Sequence, residues 1–534
     1  MNEKSINFDR LFLNLIQVTG ESKIDQFPTD DYTLNIIKFI YGRNLKLTPI
    51  KSQKTFLGHP RGLATLFFTE MWERFSYYGM RAILLFYMFY SVTEGGLGFS
   101  KATAASIMSI YGALVYLTSV LGGFMSDRIW GSRKTVLIGG ILIMLGHIVL
   151  ATPYGKAALF ISIILITFGT GMLKPNVSEM VGSLYDKDDY RREAGFNIFV
   201  FGINVGAFIA PIIVGYIGQT YNFHIGFSLA AIGMFFGLVQ YSIDGKLYLS
   251  PDSMFPNDPL EPEEVRGLIK KGIAWVIGIV LTCVIMIEFN LFNIGNVILV
   301  LSVLSIGIPI YYFVVMLTSQ KVTPGERKRV VAYLPLFLAA IVFWIIEEQG
   351  SVILAIFAEE QTKLTVFGHS FPASWFQSMN PLFIMLYVPC FAWLWSKLKN
   401  RQPSSAIKFS LGLFFAGISF LWMMLPGMLY GTHTKVSPLW LVMSWALVII
   451  GEMLISPIGL STTTKLAPQA FRSQMMSMWF LTDAVAQAIN SQIVKFYNQA
   501  TEIHYFGIIG GVTIILGLIL LMIAPRIKRL IASN

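Results

Sequence analysis

The chain has 534 residues, of which 54% are apolar and only 13% charged, with 40 Lys and Arg against 30 Asp and Glu. Soluble domains carry about 25% charged residues, so a mean hydropathy of +0.63 excludes a water-facing globule, a disordered chain and a disulfide scaffold. The two cysteines, Cys283 and Cys390, both lie in apolar runs, which argues against a cysteine-based metal site.

Residues 1–52 are mixed and polar, and hold no apolar core of the kind a cleavable signal needs. At about 20 apolar residues per crossing, membrane spans are predicted near 61–90, 103–126, 134–152, 156–182, 195–219 and 223–243. A polar stretch, 244–270, follows with Pro251, Pro256, Pro259 and Pro262. Two further runs, 272–290 and 294–318, precede 328–358, 374–396, 406–430, 438–465, 472–500 and 504–525. The reading is all-α and polytopic, with fourteen spans grouped six, two and six. It divides the chain into an extension (1–54), a first six-helix bundle (55–243), a linker with an inserted helix pair (244–318) and a second bundle (319–534).

Lys and Arg sort sharply between the two faces this topology creates. One face holds 24 of them in its loops and the C-terminal tail, and the N-terminal 60 residues on that side add eight. The other face holds five, namely Lys101, Lys156, Lys363, Lys435 and Lys495, and three more lie within spans. Basic loops mark the cytoplasmic side, so both termini are expected there, in a plasma membrane. The net charge of +10 then reflects loop placement in a lipid bilayer, not nucleic-acid binding.

The loop after the second span reads Gly123-Phe-Met-Ser-Asp127-Arg128-Ile-Trp-Gly131-Ser-Arg133-Lys134. It resembles the G-x-x-x-D-R-x-x-G-x-R-K loop of the major facilitator superfamily. Asp127 beside the bases is expected to form a charge latch on that face, and glycine allows the tight turn. Such folds place a substrate site near the bilayer midplane, between two halves that rock about it.

Each ionised group at a helix centre costs about 2.5–3.5 kcal/mol on insertion scales. Here Glu70, Glu73, Arg74 and Arg81 fall in the first span and Lys174 in the fourth; Glu347, Glu348, Glu452 and Asp483 fall in the second bundle. These groups are expected to face one another or water. At about 100° per residue, Glu70, Glu73, Arg74, Tyr77 and Arg81 share one face, with Tyr78 at its edge. Trp344, Glu347 and Glu348 stand at i, i+3 and i+4, and Trp479 and Asp483 at i and i+4. Cations in one half (Arg74, Lys174) and an anion in the other (Glu452) suit a zwitterion, and Arg suits carboxylate capture. Glu73 beside Arg74 combines desolvation with a neighbouring cation, the balance that lets a carboxyl load and release a proton. His147 reads as a packing residue.

These residues carry a resemblance to the proton-dependent oligopeptide transporter family, the peptide branch of the major facilitator superfamily. Glu70-Met-Trp-Glu73-Arg74-Phe75-Ser-Tyr77-Tyr78-Gly79 resembles its E-x-x-E-R-F motif with a Tyr-Tyr-Gly extension. Gly169-Thr-Gly-Met-Leu-Lys174-Pro175 resembles G-x-G-x-x-K-P, and Phe196-Asn-Ile-Phe-Val-Phe-Gly-Ile-Asn204-Val-Gly206 resembles F-x-I-F-x-x-x-I-N-x-G. Glu347-Glu348-Gln349-Gly350, Gln377-Ser-Met-Asn380-Pro381, Gly451-Glu452-Met-Leu-Ile-Ser-Pro457 and Gln474-Met-Met-Ser-Met-Trp479-Phe are similar to further family elements. The likeness runs from about Thr55 to the C-terminus, and the inserted pair is like that of bacterial members.

The resemblance implies an importer of di- and tripeptides and peptide-like drugs, working as a monomer, with the proton as coupling ion and no other cofactor. It implies a proton-coupling cluster at Glu70, Glu73 and Arg74. It implies a gate pair of Arg81 with Glu348, and a pairing of Lys174 with Glu452 that also serves the peptide's two termini. Tyr77, Tyr78, Tyr116, Asn204, Trp344, Asn380 and Trp479 would line the pocket. Asp483 departs from the family pattern, where a small polar residue is expected, and adds an acid to the cavity. Residues 1–52 depart too, and are expected to be weakly packed or dispensable; no Met lies between Met1 and Met71, so an alternative start there would need a non-Met codon near Lys51. The rival readings are a related symporter for another anion or amphoteric solute, such as nitrate or peptide-like drugs, a multidrug–proton antiporter and a membrane enzyme. For the last, no zinc-protease, nucleophile-elbow or phosphate-loop motif is in place.

Overall fold

The computed structural model describes residues 55–186 and 189–532, so the expectation for the N-terminal extension lies outside the described residues. The first six spans are α1 (Gly62–Phe89), α2 (Lys101–Met125), α3 (Ser132–Leu150), α4 (Gly155–Ser183), α5 (Arg192–Thr220) and α6 (Phe223–Tyr248). The inserted pair is α7 (Pro262–Glu288) and α8 (Ile294–Thr318). The last six are α9 (Pro324–Glu348) continued by α10 (Ile353–Gln361), then α11 (Met379–Leu398), α12 (Ser405–Tyr430), α13 (Leu439–Leu466), α14 (Arg472–Ile493) and α15 (Glu502–Ala532). The six–two–six grouping of fourteen spans is therefore the observed architecture. In hydrocarbon every backbone polar group must be satisfied within the protein, which leaves helices as the economical solution for apolar runs of this length.

Twelve of these spans are long and apolar enough by composition alone to cross a membrane. The other two, α1 and α14, have comparable length but carry the charged and amide residues that face the interior. Helix starts follow local chemistry. Ser100 Oγ accepts from Thr103 N at 3.1 Å, Asn293 Oδ1 accepts from Asn296 N at 2.9 Å, and Thr323 and Glu326 form a reciprocal capping box ahead of α9.

Three boundaries differ from the sequence expectation. The helix α7 begins at Pro262, ten residues before the apolar run, because Glu261 and Glu264 cap its first turn and proline suits the first helical position. The span expected over 328–358 is interrupted at Gln349–Ser351 by a 3₁₀ turn, where the Trp445 ring lies against Gly350 and a Cβ at Gly350 would overlap it. The span expected over 472–500 ends at Ile493, and a short 3₁₀ turn, Val494–Phe496, follows.

Glycines let each half pack backbone to backbone. A Cβ on Gly139 of α3 would lie 2.7 Å from Gly169 O of α4, and one on Gly169 would lie 2.6 Å from Gly139 O. The second half repeats this at the corresponding pair of spans: a Cβ on Gly451 of α13 would lie 2.8 Å from Gly412 O of α12, and the reverse distance is 3.1 Å. Gly417 of α12 and Gly510 of α15 form a third such contact, 2.8 Å in both directions. Small residues at helix crossings are the usual solution in lipid, where apolar side chains gain little from leaving their surroundings. The outer faces are apolar and exposed, as at Ile161, Ile164, Phe168, Phe235 and Phe236.

The inserted pair sits at the margin. Only Met286 of α7 is buried, whereas α8 touches α14 through Ser302 and Ser491, whose hydroxyls lie 2.9 Å apart. The linker before α7 docks on the loop between α2 and α3. Asp258 N donates to Asp127 O at 2.9 Å, Leu260 N donates to Arg128 O at 3.2 Å, and Arg128 pairs with Asp258 and, at 2.5 Å, with Glu264. The latch expected at Asp127 is thus made chiefly by Arg128, and it holds the linker. Asp127 itself meets Asn257 at 3.5 Å.

Candidate functional site

The face of α1 assembles as its phase predicts. Arg74 is the hub: its Nε lies 3.3 Å from Glu70 Oε1 and also pairs with Glu73. Its guanidinium lies 5.1 Å from the centroid of the Tyr77 ring and 5.9 Å from that of Tyr78. Such stacking suits a weakly hydrated, planar cation in a low-dielectric site. Tyr77 packs edge-on to Tyr78 at 5.3 Å and tilted against Tyr111 at 6.3 Å. All three charged groups are buried, yet Glu70 Oε2, Glu73 Oε1 and Arg74 Nη2 have no hydrogen-bond partner among the described residues. Leaving such groups unpaired costs about 1–3 kcal/mol each, and more when charged.

Two turns further on, Arg81 crosses to the second half. Its Nη2 pairs with Glu348 and donates to Ser351 Oγ at 2.8 Å, within the 3₁₀ turn that follows α9. The neighbouring Glu347 turns elsewhere, accepting from Asn380 Nδ2 of α11 at 2.6 Å. Adjacent carboxylates are thus committed to different helices. Trp344 packs edge-on against Phe343 at 5.2 Å. Glu452 of α13 has Oε2 buried and unpartnered, and Trp479 of α14 fits over Gly459 of α13, where a Cβ would overlap its ring.

Lys174 does not form the expected ion pair with Glu452. Its ammonium sits 4.4 Å from the centroid of the Tyr116 ring on α2, where a cation–π contact replaces part of its lost hydration. Asp483, in the same electrostatic group as Tyr116, accepts from Gln487 Nε2 at 2.9 Å. Lys174 and Asp483 attract one another across this group. The side-chain amide of Asn204 donates to Val200 O on its own helix at 2.9 Å.

The polar links between the halves gather at the Phe89 end of α1. Beyond Arg81–Glu348, Tyr90 Oη donates to Glu359 at 2.5 Å, Lys101 pairs with Glu360, and Ser374 N donates to Gln219 Oε1 at 2.9 Å. Trp375 Nε1 donates to Ile212 O at 3.1 Å and Ser378 Oγ donates to Phe208 O at 2.8 Å. At the other end, Arg191 chelates Asp189 at 2.9 and 3.1 Å, and these hydrogen bonds hold the Asp189 carboxyl below its ordinary range. Sequence reasoning missed this seal and a buried amide network. In that network Tyr505 Oη donates to Gln349 Oε1 at 2.7 Å, Gln349 Nε2 donates to Asn490 Oδ1 at 3.0 Å, and Asn490 Nδ2 donates to Ile345 O at 3.0 Å. The available signal was three amides, Gln487, Asn490 and Gln492, on one apolar-flanked helix.

The arrangement offers buried carboxylates beside a fixed guanidinium in one half, and unpaired or singly bonded carboxylates in the other. Phenol and indole rings lie between them. Such a site can exchange protons and hold opposite charges.

Comparison with known proteins agrees with this architecture. The family model described as the POT family matches residues 133–515. The chain is 52% identical to the "Uncharacterized transporter YclF" of Bacillus subtilis (strain 168) over 478 residues, covering 89% of this chain and 96% of the relative. It is also 52% identical to the di-/tripeptide transporter of Lactococcus lactis subsp. cremoris over 491 residues, 90% of this chain and 99% of that one. A crystal structure of peptide transporter POT in complex with sulfate superposes with a TM-score of 0.88 at 53% identity, over 90% of this chain and 98% of that one. With a family model spanning most of its length and relatives above half identity over nearly all of theirs, the chain belongs to the POT family.

Proposed function

We propose that the chain imports di- and tripeptides, and peptide-like drugs, together with protons across the plasma membrane by alternating access, as a monomer. The observation that carries this is the division of interior charge. Buried Arg74 and half-buried Lys174 stand in the first half, half-buried Glu347 and Glu452 and buried Asp483 in the second, and Arg81–Glu348 locks the two together. The charges suit a zwitterion held between the halves: its carboxylate on Lys174 and Arg74, its amine on Glu452. The full-length likeness to a di-/tripeptide transporter supports the same substrate class.

The loop charges support a cytoplasmic position for both termini, which makes the Phe89 end of α1 the outer one. In the conformation described, that outer end carries the seal. Opening it requires breaking Arg81–Glu348. A proton on Glu348, or on Glu73 with release of Arg74, removes charge from the network and weakens the links that close the cavity. Peptide and proton then enter together from outside, the halves rock, and the re-formed Arg81 pair commits the load to the inside. Glu70, Glu73 and Arg74 form the coupling cluster in this scheme. Tyr77, Tyr78, Tyr116, Asn204, Trp344, Asn380 and Trp479 line the path of the peptide.

Labelled dipeptide uptake into proteoliposomes under an inward proton gradient tests this reading. Accumulation should be abolished by a protonophore and out-competed by unlabelled tripeptide. Gradient-independent uptake, or dye efflux indifferent to dipeptides, would overturn it.

A further inference from the structure

We infer that Asp483 is a side-chain selectivity group, which takes the cationic side chain of lysine- or arginine-containing dipeptides; this rests on the peptide reading above. The carboxylate is buried on α14 and held by Gln487 Nε2 at 2.9 Å, with the Tyr116 hydroxyl in its electrostatic surroundings. Its orientation is therefore fixed before any cargo arrives. Its electrostatic partner among the cations is Lys174, poised over the same Tyr116 ring.

The interior charges do not balance. Glu70, Glu73, Glu347, Glu348, Glu452 and Asp483 stand against Arg74, Arg81 and Lys174. Arg81 is taken by Glu348, and Arg74 by Glu70 and Glu73. Lys174 is the remaining cation, and it carries no carboxylate ion pair among the described residues. A zwitterionic peptide whose carboxylate draws Lys174 toward itself removes the one cation that Asp483 feels. The neutral hydrogen bond from Gln487 then remains on Asp483, less than a buried carboxylate needs. A third charge on the cargo supplies what is missing. A neutral peptide leaves the acid excess unchanged, whereas an ammonium or guanidinium on its side chain reduces it by one. Trp479 stands one turn from Asp483 on the same face, and its ring offers a surface along which an aliphatic stem and a cation can lie. A carboxylate side chain at the same place meets repulsion.

The test is competitive binding to the purified full-length protein, using Ala-Lys and Lys-Ala against their near-isosteres Ala-norleucine and norleucyl-Ala, with Ala-Ala and Ala-Glu alongside. The wild type should bind at least one lysyl dipeptide about tenfold more tightly than its norleucine counterpart, a factor within reach of one desolvated charge contact. Asp483→Asn and Asp483→Ser should reduce that ratio to about twofold or less and improve the affinity for Ala-Glu relative to Ala-Ala. Asp483→Glu should keep the preference. A wild type that does not discriminate lysine from norleucine overturns the inference without needing any variant to fold, and so does a preference that survives both neutral substitutions. Selective binding combined with proton-independent uptake would sink the symport reading and leave this inference standing.

Discussion

In the first half the charged residues Glu70, Glu73, Arg74 and Arg81 all belong to α1, and Arg74 already holds both carboxylates beside it. In the second half Glu347, Glu348, Glu452 and Asp483 come from three helices, α9, α13 and α14, and each is committed to a different partner or to none. A cluster on one helix keeps its internal geometry whatever the halves do. Carboxylates spread over three helices change their surroundings whenever those helices shift. On the function proposed above, this divides the labour: α1 would register the proton, and the second half would convert that change into affinity and gating. The chain departs from strict division at Lys174, a cation of α4 that leans on α2 and is drawn toward an acid of the opposite half.

The largest expected effect tests the α1 side. Glu73→Gln should abolish gradient-driven dipeptide accumulation, while exchange of labelled for unlabelled peptide across the same vesicles persists. Equal loss of both would show that the cluster binds peptide instead of coupling it. An intermediate effect tests the joint between the halves. Arg81→Glu alone should reduce uptake at least tenfold, because it leaves Glu348 buried beside another acid. Combining Arg81→Glu with Glu348→Arg should recover part of that loss, and no recovery would mean that the pair is not a gate. The smallest effect tests whether the second-half acids act separately. Asn380→Ala removes one hydrogen bond from Glu347 and should raise the apparent KM for Ala-Ala a few-fold with little change in maximal rate, in line with about 1 kcal/mol for such a bond. A collapse of transport there would mean that Glu347 and Glu348 work as one unit.

Much of this was legible from the residues. Apolar runs marked the spans because lipid leaves the backbone few alternatives, and a 100° phase placed five residues of α1 on one face. The Arg81–Glu348 pair followed from the family resemblance, and the structure forms it. Other contacts were not legible, for definite reasons. The partner of Lys174 depends on how far the halves are rotated, which no local pattern encodes; the ammonium meets Tyr116 here and not Glu452. Asn204 sits in a motif but spends its amide on Val200 O, a choice set by rotamer and not by residue type. The start of α7 was hidden because Glu263, Glu264, Arg266, Lys270 and Lys271 make its first turns read as loop. Gln349, Asn490 and Tyr505 are unremarkable singly, and their network exists only because α15 lies against the break in α9.

The glycine seams have a consequence for biogenesis. The contact between Gly139 and Gly169 is built from two neighbouring helices of the first half, and the seams at Gly412, Gly417, Gly451 and Gly510 lie wholly within the second. The first seam can therefore close as soon as α4 has been inserted, long before the ribosome reaches α12, in keeping with domain-wise folding from the N-terminus. What remains for the finished chain is the joining of two already assembled pieces. That joining depends on the Arg81, Tyr90, Lys101 and Gln219 contacts, which are the same ones the working cycle must break and remake.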